Sequence, residues 1–138
     1  MKKYFLSLFL FLSSAISYTQ WQPDVRLTND SGESRTIASN AWSIASSGSI
    51  VHVVWYDSRY GHYEIYYKRS IDSGLNWGPD TRLTNSINFA TSPSVVISGS
   101  DVHVVWSYRE VFSEEIYYKR STDSGMNWEP SIRLTTYD

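Results

Sequence analysis

The chain contains no cysteine. No disulfide can staple it, and neither a thiolate metal site nor a lipid-modified cysteine is available. Histidine is scarce as well: His52, His62 and His103 are the only three. Their positions match no metal-ligand spacing, so neither a metal nor a cofactor is expected. A basic excess is also missing. The formal net charge is −2, and without Lys2 and Lys3 ten basic residues face fourteen acidic ones. Such a chain offers no cationic stripe to a nucleic acid or an anionic membrane. No apolar run reaches the roughly 20 residues that a spanning helix needs. No segment sustains a helical hydrophobic period.

What the sequence does have begins with a short apolar leader. Lys2 and Lys3 precede the almost wholly apolar run from Tyr4 to Leu12, and Ala15-Ile16-Ser17 follows. A positive start, a short apolar centre and small residues at the end are the marks of a signal peptide. Residues 1–17 are read as that signal. The prediction is a secreted or periplasmic chain running from residue 18 to 138, without membrane attachment after cleavage.

Beyond the leader the dominant feature is a repeat. Ser70-Ile71-Asp72-Ser73-Gly74-Leu75-Asn76-Trp77 returns 51 positions later as Ser121-Thr122-Asp123-Ser124-Gly125-Met126-Asn127-Trp128. Val51-His52-Val53-Val54-Trp55 and Glu64-Ile65-Tyr66-Tyr67-Lys68-Arg69-Ser70 recur at the same displacement. Between 51–85 and 102–136, 21 of 35 aligned positions are identical. Self-similarity at such a period marks one supersecondary unit used repeatedly. Short runs rich in Val, Ile, Tyr, Thr and Trp alternate with Gly, Ser, Asp and Asn clusters, which predicts an all-β chain.

Each unit divides into four strands. In the unit 41–85 they are expected at about 41–46, 50–56, 62–70 and 76–84. In the unit 92–136 they are expected at about 94–98, 101–107, 114–121 and 127–135. Trp21 to Asn29 matches Trp77 to Asn85, so 19–28 reads as an orphan fourth strand. The link 29–40 is five residues longer than its counterpart and is expected to be the longest loop.

Four-stranded antiparallel units repeated in this way suit propeller blades. The motif Ser-x-Asp-x-Gly-x-x-Trp resembles the Asp-box, or bacterial neuraminidase repeat, of sialidase-like β-propellers. The likeness extends over residues 19–138. It implies about two blades plus one extra strand, part of a six-bladed propeller.

The motif contains Ser and Asp but reads as a turn fastener. An aspartate at a turn start accepts backbone N–H groups two and three residues on, and glycine supplies a positive φ. The tryptophan then covers the turn. Ser70, Asp72, Gly74 and Trp77, with Ser121, Asp123, Gly125 and Trp128, are assigned this structural role. The alternating oxygen ligands of a calcium loop are missing. His52 and His103 should share a sheet face with Val54 and Val105, their ring nitrogens meeting backbone carbonyls.

Positions where the repeats disagree are free of framework duty. The loops after the second strands, 57–63 and 108–114, share almost nothing. Asp57, Arg59, His62, Tyr108, Arg109 and Glu110 are therefore the candidate ligand-face residues, joined by Asp30, Glu33 and Arg35 from the long link. A solvated set of loop charges is the alternative for the same residues.

Resemblance to sialidases implies three arginines clamping a carboxylate, a Tyr–Glu nucleophile pair and an aspartic acid catalyst. The Arg-Ile-Pro triplet that carries the first arginine is absent. Arg82 and Arg133 lie in repeated Arg-Leu-Thr and read as framework, paired with carboxylates of an adjacent blade. No catalytic residue is assigned. The leading function is a non-catalytic module binding a glycan or an extracellular protein. A segment of an exo-sialidase and an architectural repeat of a larger surface protein stay open beside it. Starting and ending on a fourth strand suits a piece of a longer array better than a closed homotrimer.

Overall fold

The computed structural model describes residues 22–36, 42–110 and 112–136. The leader and residues 19–21 lie outside them. The described residues are all β, with nine strands and no helix; none is therefore a helix able to cross a membrane.

The first sheet holds β1 (Ser34–Arg35), β2 (Ile44–Ser47), β3 (Ile50–Asp57), β4 (Glu64–Ser70) and β5 (Thr81–Arg82). The second holds β6 (Phe89–Ser98), β7 (Asp101–Arg109), β8 (Glu114–Ser121) and β9 (Ile132–Arg133). Every pairing is antiparallel, and both sheets are meanders in chain order, with β1 and β2 sharing one edge of β3. Gly48 and Gly99 adopt positive φ in the tight turns that join β2 to β3 and β6 to β7.

Register locates the extra residues of the first unit. Ser34 and Arg35 pair with Asp57 and Tyr56, as Ala90 and Thr91 pair with Tyr108 and Ser107. Ile44 pairs with Val53, as Val95 pairs with Val104. The five-residue excess therefore falls between Arg35 and Ile44, inside the first strand rather than ahead of it. In the second unit the corresponding strand is continuous, with one irregularity between Thr91 and Ser94.

The fourth strands are shorter than 76–84 and 127–135. Only Thr81–Arg82 and Ile132–Arg133 form ladders. Ahead of them single bonds hold the chain to its neighbour, Gly78 N–H to the Arg69 carbonyl and Glu129 N–H to that of Arg120. Pro79 and Pro130 come next and have no N–H to continue the ladder. The segment 22–28 is likewise not a strand, yet it packs as a fourth strand would: Leu27 lies against Val53, Trp55 and Tyr66.

Strand alternation gives each sheet two faces. In the first sheet, Val54, Ile65 and Tyr67 point to one face, with Tyr56 beside them. Val53, Trp55 and Tyr66 point to the other. The first set meets Val95, Val102, Val104 and Trp106 of the second sheet, and Leu83 and Ala90 complete this core. Face-to-face packing of this kind buries alternate residues of both partners, each large apolar side chain contributing about 1.5–3 kcal/mol. The joint is directional, since opposite faces of the two repeats are in contact.

Candidate functional site

The repeated turn is built by its own side chains. Ser70 Oγ donates to Asp72 Oδ1 at 2.7 Å and accepts from Gly74 N–H at 2.9 Å. Asp72 accepts the Asn76 backbone N–H at 2.8 Å and its side-chain amide at 2.7 Å. Ser121, Asp123, Gly125 and Asn127 reproduce the same bonds. The aspartate thus reaches N–H groups up to four residues on, further than the two and three expected from turn chemistry alone. Bonds from Asn76 hold the Asp72 carboxyl at about 2, and Asn127 does the same for Asp123. Ser73 and Ser124 also take positive φ, which no residue type announced. The Ser and Asp side chains of both boxes are engaged within their own turns, while the buried Trp128 indole N–H has no hydrogen-bond partner among the described residues.

The strand histidines are structural by a different bond from the one expected. His52 Nδ1 lies 2.7 Å from the Tyr67 hydroxyl, and His103 Nδ1 lies 2.7 Å from that of Tyr118. The partner is a tyrosine of the neighbouring strand rather than a backbone carbonyl. Burial lowers the pKa of His52. The arginines of the fourth strands also pair within their own sheet. Arg82 meets Glu64 at 2.7 Å and Arg133 meets Glu115 at 2.8 Å. An adjacent unit is not involved.

Among the six candidate loop residues, the structure makes a sharp division. Asp57 is fully buried and accepts from Arg59 N, Nε and Nη2 at 2.9, 3.1 and 3.0 Å, and from Ser34 Oγ at 2.6 Å. Arg59 also contacts Asp80 at 2.9 Å and Asp30, and its guanidinium lies 4.1 Å above the Tyr66 ring. Burial alone would raise the Asp57 pKa, but hydrogen bonds from Arg59 and Ser34 and the Arg59 charge bring it down to about 2. Gly32 makes this closure feasible, because a Cβ there would fall 2.6 Å from the Arg59 nitrogen. His62 is committed to Glu64 at 3.0 Å. Glu33 and Arg35 pair with each other at the same end of the sheet, and Glu33 also accepts from Tyr63.

The equivalent place in the second sheet is open. Repeat alignment sets Ser86 opposite Asp30, Tyr108 opposite Asp57, Glu110 opposite Arg59 and Ser131 opposite Asp80. All four substitutes line one groove of about 620 Å³, between the segment 82–88 and the sheet. Trp106, Tyr108 and Tyr117 form its aromatic side. Trp106 and Tyr117 stack at 6.1 Å, while Tyr108 meets Tyr117 edge-on at 5.1 Å. Arg82, Asn85 and Asn88 supply polar groups.

Lys119 is the residue that sequence reasoning missed. Its counterpart Lys68 donates to the Leu27 carbonyl at 2.6 Å and pairs with Asp80 at 2.7 Å. Lys119 keeps the first bond, to the Leu83 carbonyl at 2.7 Å. Serine replaces the aspartate, and no carboxylate pairs with Lys119 among the described residues. Burial pulls its pKa down. The signal lay in Asp80 becoming Ser131 beneath an unchanged lysine.

Glu110 lines the same groove and lies 3.4 Å from Arg133. Arg109 does not join it. Arg109 lines a smaller cleft of about 280 Å³ with Tyr63 and Phe89. Among the described residues, no group of three His, Asp or Glu side chains is placed to hold a metal ion. Comparisons with family models, with curated proteins and with solved structures found no match to this chain.

Proposed function

We propose that this exported chain is a sialidase-like, Asp-box propeller segment acting as a non-catalytic binding module. Its ligand is a carbohydrate carrying a negative charge, held in the groove beneath residues 82–88. The observation that carries the proposal is the paired comparison of the two sheets. One position is sealed by an internal Asp–Arg–Asp network. At its equivalent, all four network residues are replaced and the space is open.

The exposed chemistry suits a sugar. Among the described residues, no guanidinium covers Tyr117 as Arg59 covers Tyr66. Tyr117 forms with Trp106 and Tyr108 an aromatic wall of the groove that suits an apolar sugar face. Asn85 and Asn88 offer amide donors and acceptors to hydroxyls. Lys119 offers a half-buried ammonium, worth more to a ligand carboxylate or sulfate than a fully solvated one. Catalysis has less support. Arg59, Arg82 and Arg133 are all held by carboxylates of the chain itself, so they are poor candidates for a substrate clamp.

Calorimetric titration of acidic and matched neutral oligosaccharides tests this reading. The protein should prefer the acidic set. Tyr117→Ala should weaken both sets roughly tenfold, the scale of an aromatic contact. Lys119→Met should abolish only the preference for charge. Folded protein that binds no member of a broad glycan panel would sink the proposal, and turnover of a fluorogenic sialoside would overturn its non-catalytic part.

A further inference from the structure

One face of the second sheet repeats a face that is sealed in the first. Val54 and Ile65 are 0% exposed in the core between the sheets, whereas their equivalents Val105 and Ile116 are 36% and 40% exposed. The opposite end of the molecule shows the complementary gap. Ile44 is 58% exposed, while Val95 at the equivalent position is 2% exposed against the neighbouring sheet. Part of each half of the joint is therefore open again, Val105 and Ile116 on one side and Ile44 on the other. Leu27 already covers Val53 and Trp55, the equivalents of Val104 and Trp106.

A shape feature repeats with them. Tyr67, held by His52, fills the space beside Gly125 so closely that a Cβ there would lie 1.9 Å from its hydroxyl. Gly74 is the same residue of the first turn, and only its own Trp77 comes within 4 Å of such a Cβ. Tyr118 is oriented by His103 as Tyr67 is by His52, with the hydroxyl again 2.7 Å from Nδ1. The open sheet therefore presents the knob, and the first turn presents an empty notch of matching design.

We propose that a second copy of this chain stacks head to tail on the second sheet. Its Ile44 surface covers Val105 and Ile116, and its Gly74 notch receives Tyr118. The internal joint is the template for this contact, and exposed apolar area on both surfaces drives it. Two features of the template are not carried over, the first being that Leu27 of the second copy already takes the place that Leu83 takes in the joint. The second is a bond: Arg69 donates across the joint to the Ser124 carbonyl at 3.0 Å, but Arg120 is already engaged by Glu129 at 2.8 Å. A contact between different surfaces leaves one of each free, so association continues into a ring or an open stack rather than stopping at two.

Sedimentation velocity over a concentration series tests the idea without any ligand, so its result is independent of the sugar-binding proposal. The unmodified protein should gain mass with concentration, beyond a dimer. Ile116→Asp and Ile44→Asp should each remain monomeric, with thermal unfolding close to that of the unmodified protein when both are compared in dilute solution, because both side chains are exposed. Mixed in equal amounts, they should form a species of two chains and nothing larger, since one intact surface of each kind remains. Val96→Asp, 61% exposed on the same face as Ile116, repeats the test should Ile116→Asp fold poorly. A protein that stays monomeric throughout would overturn the proposal. So would an Ile44→Asp variant that associates like the unmodified chain, which would mean like faces pairing, or a mixture that stays monomeric.

Discussion

Replacing Asp57 by asparagine isolates the charge of the network that seals the first sheet. The carboxylate is fully buried and collects bonds from Arg59, Ser34 and Trp55. Its pKa falls from 3.8 to about 2 on folding. At 1.36 kcal/mol per pKa unit, that drop is about 2.5 kcal/mol of stability. The folded value lies below the unfolded one, so the contribution is complete above about pH 4. It shrinks as pH falls through the interval down to 2, and about half remains at pH 3. Asp57→Asn should therefore lower stability by about 2–3 kcal/mol at pH 7. For a small protein this is a loss of roughly 1–2 M in the urea midpoint. At pH 3 the gap between variant and unmodified protein should narrow to about half. Urea unfolding followed by tryptophan fluorescence at both pH values reads this directly. A gap of equal size at the two pH values would refute the charge argument, and no gap at pH 7 would refute the network's structural role.

The repeat made much of the architecture legible. Val51 to Trp55 and Glu64 to Ser70 recur almost unchanged, and alternation within them states which side chains share a face. The middle strands of each sheet lie where that pattern predicts. The outer strands were less legible for a physical reason. Their pairing depends on which N–H groups are available, and Pro79 and Pro130 interrupt it. The split first strand was hidden because the link 29–40 looks like polar loop throughout. Only the pairing of Ser34 with Asp57 shows where the ladder resumes.

The candidate site was legible in part. Divergent loops pointed to both 57–62 and 108–110, yet loop charge alone could not separate a closed network from an open groove. That difference rests on Asp30, Asp57, Arg59 and Asp80, which are distant in sequence and meet only when β5 lies beside β4. Divergence at 57 and 59 had to be read together with Asp80 becoming Ser131, because the loss of one charge is tolerable only if its partners go too. The unchanged lysine below them then becomes the informative residue.

Three further predictions compare equivalent positions of the two repeats. Ile65→Ala should cost about 2–5 kcal/mol in chemical unfolding, because its cavity lies in the joint between the sheets. Ile116→Ala, measured in dilute solution, should cost less than about 1 kcal/mol. Gly125→Ala and Gly74→Ala share the strain of a methyl at positive φ, but only the former drives a Cβ into Tyr67. Gly125→Ala should therefore be worse by about 1–3 kcal/mol, and equal losses would mean that Tyr67 moves away at no cost. The last prediction rebuilds the seal in the second sheet. Glu110→Arg alone removes the carboxylate that faces Arg133 and adds a cation to the groove that Lys119 lines, and should destabilise by about 1 kcal/mol. In an Asn88→Gly background, which clears the space that Gly32 clears in the first sheet, adding Ser86→Asp, Tyr108→Asp and Ser131→Asp restores every charged partner that Arg59 and Lys68 have there. The four changes should then be far from additive, recovering most of the stability that the single change loses. Glycan binding should disappear with the groove, and a fourfold variant that binds as before would place the ligand elsewhere on the chain.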